Sequence, residues 1–177
     1  MCRTGVEIWP GNNTVRNVFC YDCFTGIILR HSKQNVLENI SCRIGNNIPE
    51  NFGMYGIYVE YGTKNILTNI ICDNYSEEKE YYGVYVENEK NLVIKDSNCG
   101  PVFLDGEHLR LEGVDGGEAI IAKYGSDMAF VKCRAKILKH FLKEDQFSLE
   151  GCKFDEVKVE SEPISDDDEG AVGGRPM

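Results

Sequence analysis

A six-residue pattern recurs along the chain and constrains the fold more than any other feature: apolar, any, Asn or Asp, usually apolar, any, Cys. It reads Val15-Arg16-Asn17-Val18-Phe19-Cys20, Leu37-Glu38-Asn39-Ile40-Ser41-Cys42, Leu67-Thr68-Asn69-Ile70-Ile71-Cys72 and Ile94-Lys95-Asp96-Ser97-Asn98-Cys99. Degenerate copies follow at Leu111-Glu112-Gly113-Val114, Phe130-Val131-Lys132-Cys133 and Leu149-Glu150-Gly151-Cys152. Successive copies start 22, 30, 27, 17, 19 and 19 residues apart. Fixed self-similarity at such a period is the mark of a repeat architecture, in which each unit buries its apolar face only against its neighbours.

A short run precedes each copy: Gly5 to Trp9, Gly26 to Arg30, Gly56 to Glu60 and Gly83 to Glu87, then Pro101 to Asp105, Ala119 to Lys123, Lys136 to His140 and Glu156 to Glu160. Period-two alternation, β-branched and aromatic residues, and Gly or Asn punctuation read as strands. No long segment has a convincing helical period, and residues 135–145 fit the strand series. Three short strands per repeat predict a solenoid whose coils stack as parallel strands about 4.8 Å apart. The uneven spacing places insertions at one corner, at Gly45-Asn46-Asn47-Ile48-Pro49 and Ser76-Glu77-Glu78-Lys79-Glu80, both loop-like.

The alternating Gly-Ile-Tyr-Val-Glu and Asn-Ile-Leu-Thr-Asn-Ile-Ile-Cys blocks resemble the parallel β-helix repeats of the pectin-lyase-like superfamily over about residues 2–160. The resemblance implies an all-β, right-handed, single-stranded parallel β-helix of about seven coils across residues 1–160. In that fold the repeat Asn sits at a tight turn between the second and third strands. Asn17, Asn39, Asn69 and Asp96 match it, with Gly113 and Gly151 as later substitutes. All fourteen asparagines precede residue 99, so the ladder fades in the second half.

On this register Cys20, Cys42, Cys72 and Cys99 fill one interior column, and Cys133 and Cys152 fall one inward position earlier. Buried cysteine packs as a small hydrophobe, so reduced core thiols are the first reading. Disulfides are the second, although parallel side chains in register rarely reach the required dihedral. Zinc is the third: Cys20-Tyr21-Asp22-Cys23 has the spacing, but its second thiol falls in a loop and no further pair completes a site. Cys2-Arg3-Thr4-Gly5 resembles Cys42-Arg43-Ile44-Gly45, so Cys2 reads as the end of a preceding coil. No cap is visible there, and the expectation is an N-terminally truncated helix whose uncapped first coil offers end-to-end contact with another domain.

Residues 161–177 are a polar stretch with Asp166-Asp167-Asp168-Glu169, expected to be a disordered acidic tail. The chain carries a net charge of −10, which speaks against nucleic-acid and anionic-membrane partners. No apolar run is long enough for a transmembrane helix. No secretory signal follows Met1. Localisation stays unknown, with an extracellular or surface setting implied by the resemblance alone.

Alternation puts two columns on the outside of the first strands. One reads Glu7, Ile28, Tyr58, Tyr85, Phe103, Ile121, Leu138, Lys158. The other reads Trp9, Arg30, Glu60, Glu87, Asp105, Lys123, His140, Glu160, with His31, Tyr61 and Asn88 at the rim. Carboxylates on neighbouring coils repel, so at least one pKa should rise, as general acid–base chemistry requires. Glu60, Glu87 and Asp105 are therefore the candidate catalytic residues. Carboxyls about 5 Å apart suit retaining glycoside hydrolysis, and those about 6.5–9.5 Å apart suit inversion. Tyr58, Tyr85, Phe103, Arg30, Lys123 and Trp9 are the candidate substrate-binding residues. No cofactor is expected, and calcium on Glu60, Glu87 and Asp105 is the one metal the pattern admits.

The resemblance implies a carbohydrate-interacting module of a larger surface or secreted protein, with a polysaccharide lyase or glycoside hydrolase as the alternative. Against catalysis, the Arg-x-Pro-x-x-Arg of pectate lyases and the Asn-Thr-Asp, Gly-His-Gly and Arg-Ile-Lys of polygalacturonases do not occur. A ligand-free structural or assembly solenoid also fits, because exposed strand charges serve solubility and stacked aromatics serve cross-strand packing.

Overall fold

The computed structural model describes residues 2–44, 53–74 and 81–160. Both predicted corner insertions and the acidic tail lie outside the described residues. The strands run β1 (Cys2–Ile8), β2 (Thr14–Tyr21), β3 (Cys23–Arg30), β4 (Val36–Ile44), β5 (Met54–Glu60), β6 (Ile66–Asn74), β7 (Tyr81–Lys90) and β8 (Val93–Lys95). They continue as β9 (Val102–Glu107), β10 (Arg110–Glu112), β11 (Ala119–Ser126), β12 (Met128–Val131), β13 (Arg134–His140), β14 (Phe147–Glu150) and β15 (Lys153–Val159). Odd strands form an eight-stranded sheet and even strands a seven-stranded one, each stacked in chain order. Every pairing is parallel. This is the expected β-helix, and eight first strands with seven second strands fit its roughly seven turns.

In-register stacking turns each inward position into a column. Ile27, Ile57, Val84, Val102, Ile120 and Leu138 stack in one and are fully buried. Leu37, Leu67, Ile94, Leu111 and Phe130 stack in another on the second sheet. Each such side chain contributes roughly 1.5–3 kcal/mol by leaving water.

The repeat Asn works as expected. Asn17, Asn39, Asn69, Asp96, Gly113, Lys132 and Gly151 all have φ between 46° and 64°, the left-handed region that bends each second strand. Asn39 Nδ2 donates to Asn17 Oδ1 at 3.0 Å, and Asn69 Nδ2 to Asn39 Oδ1 at 2.8 Å. Above this bend the third run dwindles to isolated bridges joining Asn98, Asp115 and Arg134.

Cys20, Cys42 and Cys72 stack in register and Cys99 follows, all buried. The column explains why the runs open with glycine. A β-carbon on Gly26 or Gly56 would strike the sulfur of Cys42 or Cys72, and one on Gly83 would strike the Cys99 carbonyl. Small thiols face bare backbone, and two walls of the solenoid close together. Burial pushes the Cys99 thiol up to about 12 and that of Cys133 up to about 11, so both stay protonated. The eight cysteines are free thiols.

Three details depart from expectation. Cys23 opens β3 and is buried rather than lying in a loop. Cys2 pairs with Cys23, not with the Cys42 column. In β13 the register is one residue later than the spacing suggests: Lys139 stands opposite Ile121, so Leu138 and His140 turn into the core.

Two substitutions test this account. Gly56→Ala should cost about 2 kcal/mol, because the added methyl has no space. Lys132→Gly should gain about 1 kcal/mol by removing a β-carbon from a left-handed position. Urea denaturation midpoints at unchanged slope would read both.

Candidate functional site

The outward face of the eight-stranded sheet carries a cluster of aromatic rings. Tyr55 and Tyr58 stack at 5.2 Å although three residues apart, since the alternation breaks at Gly56 and Ile57, both buried, and leaves both rings on the outer side. One coil on, Tyr82 and Tyr85 share the same side but meet edge-on, with centroids 5.3 Å apart and planes at 65°. Tyr85 lies parallel to Phe103 at 4.5 Å and 6°, and Tyr58 meets Tyr85 at 5.5 Å. The rings are half-buried. Outward-facing Ile28, next in their column, is only 2% exposed. The cluster is thus a packed platform with open edges.

Beside the rings runs the charged column. Arg30, Glu60 and Glu87 pair in register as expected. Arg30 Nε lies 3.2 Å from Glu60 Oε2, and its Nη1 lies 3.8 Å from Glu7 Oε1. The Tyr58 hydroxyl donates to Glu87 Oε2 at 2.6 Å. Burial raises the Tyr58 and Tyr85 hydroxyls, with Glu87 adding to both. Asp105 is shifted out of line, because β7 carries a bulge between Val86 and Glu89. A second bulge between Ala122 and Tyr124 pairs Asp105 with Tyr124 and leaves Lys123 unpaired in the ladder. Lys123 Nζ sits 5.1 Å above the Tyr124 ring. Burial pushes the Asp105 carboxyl above its usual range, Lys123 opposes this, and Glu87 adds to it.

Two expected members of the face lie elsewhere. Leu138 is core, and His140 is buried with Nδ1 3.2 Å from the Leu142 carbonyl and its ring against Phe147 at 4.4 Å. Trp9 is 57% exposed beyond the end of β1. At the rim His31 and Tyr61 stack at 5.5 Å, and both, like Asn88, hold left-handed backbone. Among the described residues no three of His, Cys, Asp and Glu gather in a way that could hold a metal ion, and the Glu60, Glu87 and Asp105 trio forms no such group.

A polar line at the corner before the second strands, exposed at Asn13 and buried at Asn35 and Asn65, escaped the sequence reading. Asn13 donates its backbone and side-chain N–H groups to Asn35 Oδ1, at 2.9 and 3.0 Å, and Asn35 does the same to Asn65 Oδ1 at 3.0 Å each. In the next coil Leu92 occupies the column: Val36, Ile66 and Val93 bond in turn to the carbonyls of Asn13, Asn35 and Asn65, and Arg110 to that of Leu92. Asn65 therefore needs another acceptor, and Glu89 supplies Oε1 at 3.0 Å, with Ser32 Oγ also at 3.0 Å. Glu89 occupies the corner position of Ser32 and Gly62, and a β-carbon on Gly62 would overlap its carboxyl. Its Oε2 is buried without a hydrogen-bond partner. Burial pushes this carboxyl up to about 7, against the pull of the Asn65 hydrogen bonds. The signal was present in the corner pentapeptides: His31 to Asn35 and Tyr61 to Asn65 become Asn88 to Leu92, where the acid arrives as the Asn leaves.

The parallel coils, the left-handed bends and the stacked polar columns agree with one family model, the right handed beta helix region, which matches residues 4–159. The chain belongs to this family. No curated protein matches this right-handed β-helix chain. Among solved structures it is similar to QnrB1, a plasmid-mediated fluoroquinolone resistance protein, at 11% identity and a TM-score of 0.25, over 87% of this chain and 92% of that one. A likeness at that level carries no argument. The β-helix family describes an architecture, so the chemistry rests on the site residues. No helix among the described residues is long and apolar enough to cross a membrane.

Glu89 gives the pH dependence a sign. With the folded carboxyl near 7 and the unfolded one near 4.5, its contribution is fully present below pH 4.5. It is lost as the pH rises to about 7, by roughly 3 kcal/mol. Glu89→Gln should therefore gain stability over the native chain across that window and hold the gain at pH 8. Glu89→Leu should lose stability at pH 4, because Asn65 loses its Glu89 acceptor, and the loss should shrink as the pH rises and the native chain gives up its own contribution. Thermal melts of the three proteins between pH 4 and 8 would check this.

Proposed function

We propose that the outward face of the eight-stranded sheet binds carbohydrate, as a module of a surface or secreted protein. The observation that carries the reading is the aromatic platform of Tyr55, Tyr58, Tyr82, Tyr85 and Phe103, bordered on one side by Glu60, Glu87 and Asp105. Sugar rings have apolar faces that stack on aromatics and a rim of hydroxyls that donate to carboxylates. Rings and acceptors repeated on successive coils suit a ligand that is itself a repeat. Arg30, held between Glu7 and Glu60, and Lys123, beside Asp105, balance part of the acidic charge.

A second reading, cleavage of the bound glycan, has one observation in its favour. Asp105 is a carboxyl raised toward the protonated form, while Glu87 accepts a hydrogen bond from Tyr58 on the neighbouring coil. That difference in environment is how paired carboxyls divide acid and base roles. Tyr58 then acts as a positioning residue, fixing the Glu87 carboxylate.

Titration calorimetry against neutral and uronic-acid oligosaccharides, with and without calcium, tests the binding. We expect Tyr85→Ala to weaken the best ligand about tenfold, the size of one lost aromatic contact. Glu87→Ala should weaken it further, with circular dichroism unchanged. If no oligosaccharide binds the native chain, the reading is wrong and the cluster is cross-strand packing. Product analysis of the bound oligosaccharide decides cleavage: shortened chains lost in Asp105→Asn support it, and intact ligand rules it out.

A further inference from the structure

We propose that Cys2 and Cys23 form a redox pair whose disulfide clasps the first coil to the second. Cys2 stands opposite Cys23 in the parallel pairing of β1 and β3. Neighbouring strands place such Cα atoms about 4.8 Å apart, within the roughly 4.4–6.8 Å span that a disulfide bridges. Cys2 is exposed and Cys23 buried, so one sulfur meets an oxidant and the other waits behind it. The two thiols interact: Cys2 is among the causes, after burial, that raise Cys23. Each donates to a nearby carbonyl, Cys2 to Thr4 at 2.9 Å and Cys23 to Tyr21 at 3.4 Å, weak bonds that a sulfur gives up readily.

The dihedral requirement that opposes disulfides between stacked thiols is relaxed here. Cys2 lies on the edge strand, where its exposed side chain rotates without displacing a packed neighbour. Cys42 and Cys72 lack that freedom, wedged against Gly26 and Gly56. Cys133 and Cys152 point inward and donate to the Leu111 and Phe130 carbonyls of the preceding coil.

With a hydroperoxide as oxidant the chemistry balances. The Cys2 sulfur attacks a peroxide oxygen and the O–O bond breaks. Cys2 becomes a sulfenic acid, and the departing hydroxide takes the thiol proton to leave as water. The Cys23 sulfur then displaces the sulfenic oxygen, forming the S–S bond, and that oxygen leaves as a second water with the Cys23 proton. Two thiols lose two electrons, and one hydrogen peroxide becomes two waters.

The test treats the native chain with hydrogen peroxide, unfolds it in N-ethylmaleimide, and counts alkylated thiols by intact mass. We expect the count to fall from eight to six, with peptide mapping joining Cys2 to Cys23 and dithiothreitol restoring all eight. The melting temperature should rise by about 5 °C, as closing the intervening loop constrains the unfolded chain. Cys2→Ser should keep all its thiols under the same treatment. Cys23→Ser should stop at a sulfenic acid on Cys2 that dimedone traps. A cross-link mapped to another pair, a dimer through Cys2, a wild-type protein that stops at the sulfenic or sulfinic acid, or no loss of thiols would each overturn the proposal.

Discussion

The backbone ladder between coils is the constraint from which the rest of the molecule follows. Each residue lies beside its equivalent on the coils before and after, one strand spacing away. Every position must therefore tolerate company of its own kind. Branched aliphatics do so by packing, thiols by fitting against bare glycine, and amides by donating and accepting along the column. Carboxylates do not, and the chain treats each stacked acid with a partner. Glu60 has Arg30, Glu87 has the Tyr58 hydroxyl, and Asp105 has Lys123 and a bulge that moves it out of line.

This rule also explains how much was legible in the sequence. Columns that repeat one residue type are visible in any alignment of the repeats, which is why the left-handed Asn position, the thiol column and the Arg30, Glu60 and Glu87 register all lie where the spacing puts them. Bulges break that translation. A single extra residue near Asn88 and another at Lys123 slide the later coils past the earlier ones. In β13 the pairing of Ile121 with Lys139 turns His140 inward, so a reading by constant offset places Leu138 and His140 outside. The Asn13, Asn35 and Asn65 line, buried at its last two members, was hidden for a different reason. Polar residues at a corner look like turn chemistry, and only side-chain direction shows them facing inward.

The candidate face depends on the same irregularities. The break in alternation at Gly56 and Gly83 puts two tyrosines per coil on one side, doubling the aromatic surface that plain alternation would supply. The β7 register shifts beside Glu87, and Asp105, still close enough to feel that charge, stands by Lys123 while Glu87 takes the Tyr58 hydroxyl. The sheet is regular where it is core and irregular where it carries chemistry.

The internal amide line has a direction. Because backbone N–H groups bond to Asn35 Oδ1 and Asn65 Oδ1, the amides cannot reverse, and each coil hands two donors to the next. A coil that receives them must present an acceptor or leave them stranded in the core. Coils in this molecule are consequently not interchangeable parts. A duplicated or transplanted coil could follow Asn65 only if it brought an Asn in the column or an acid at the Glu89 corner, and one beginning with Leu92 alone could not. Growth of the solenoid by repeat duplication is in this way restricted by grammar as well as by shape.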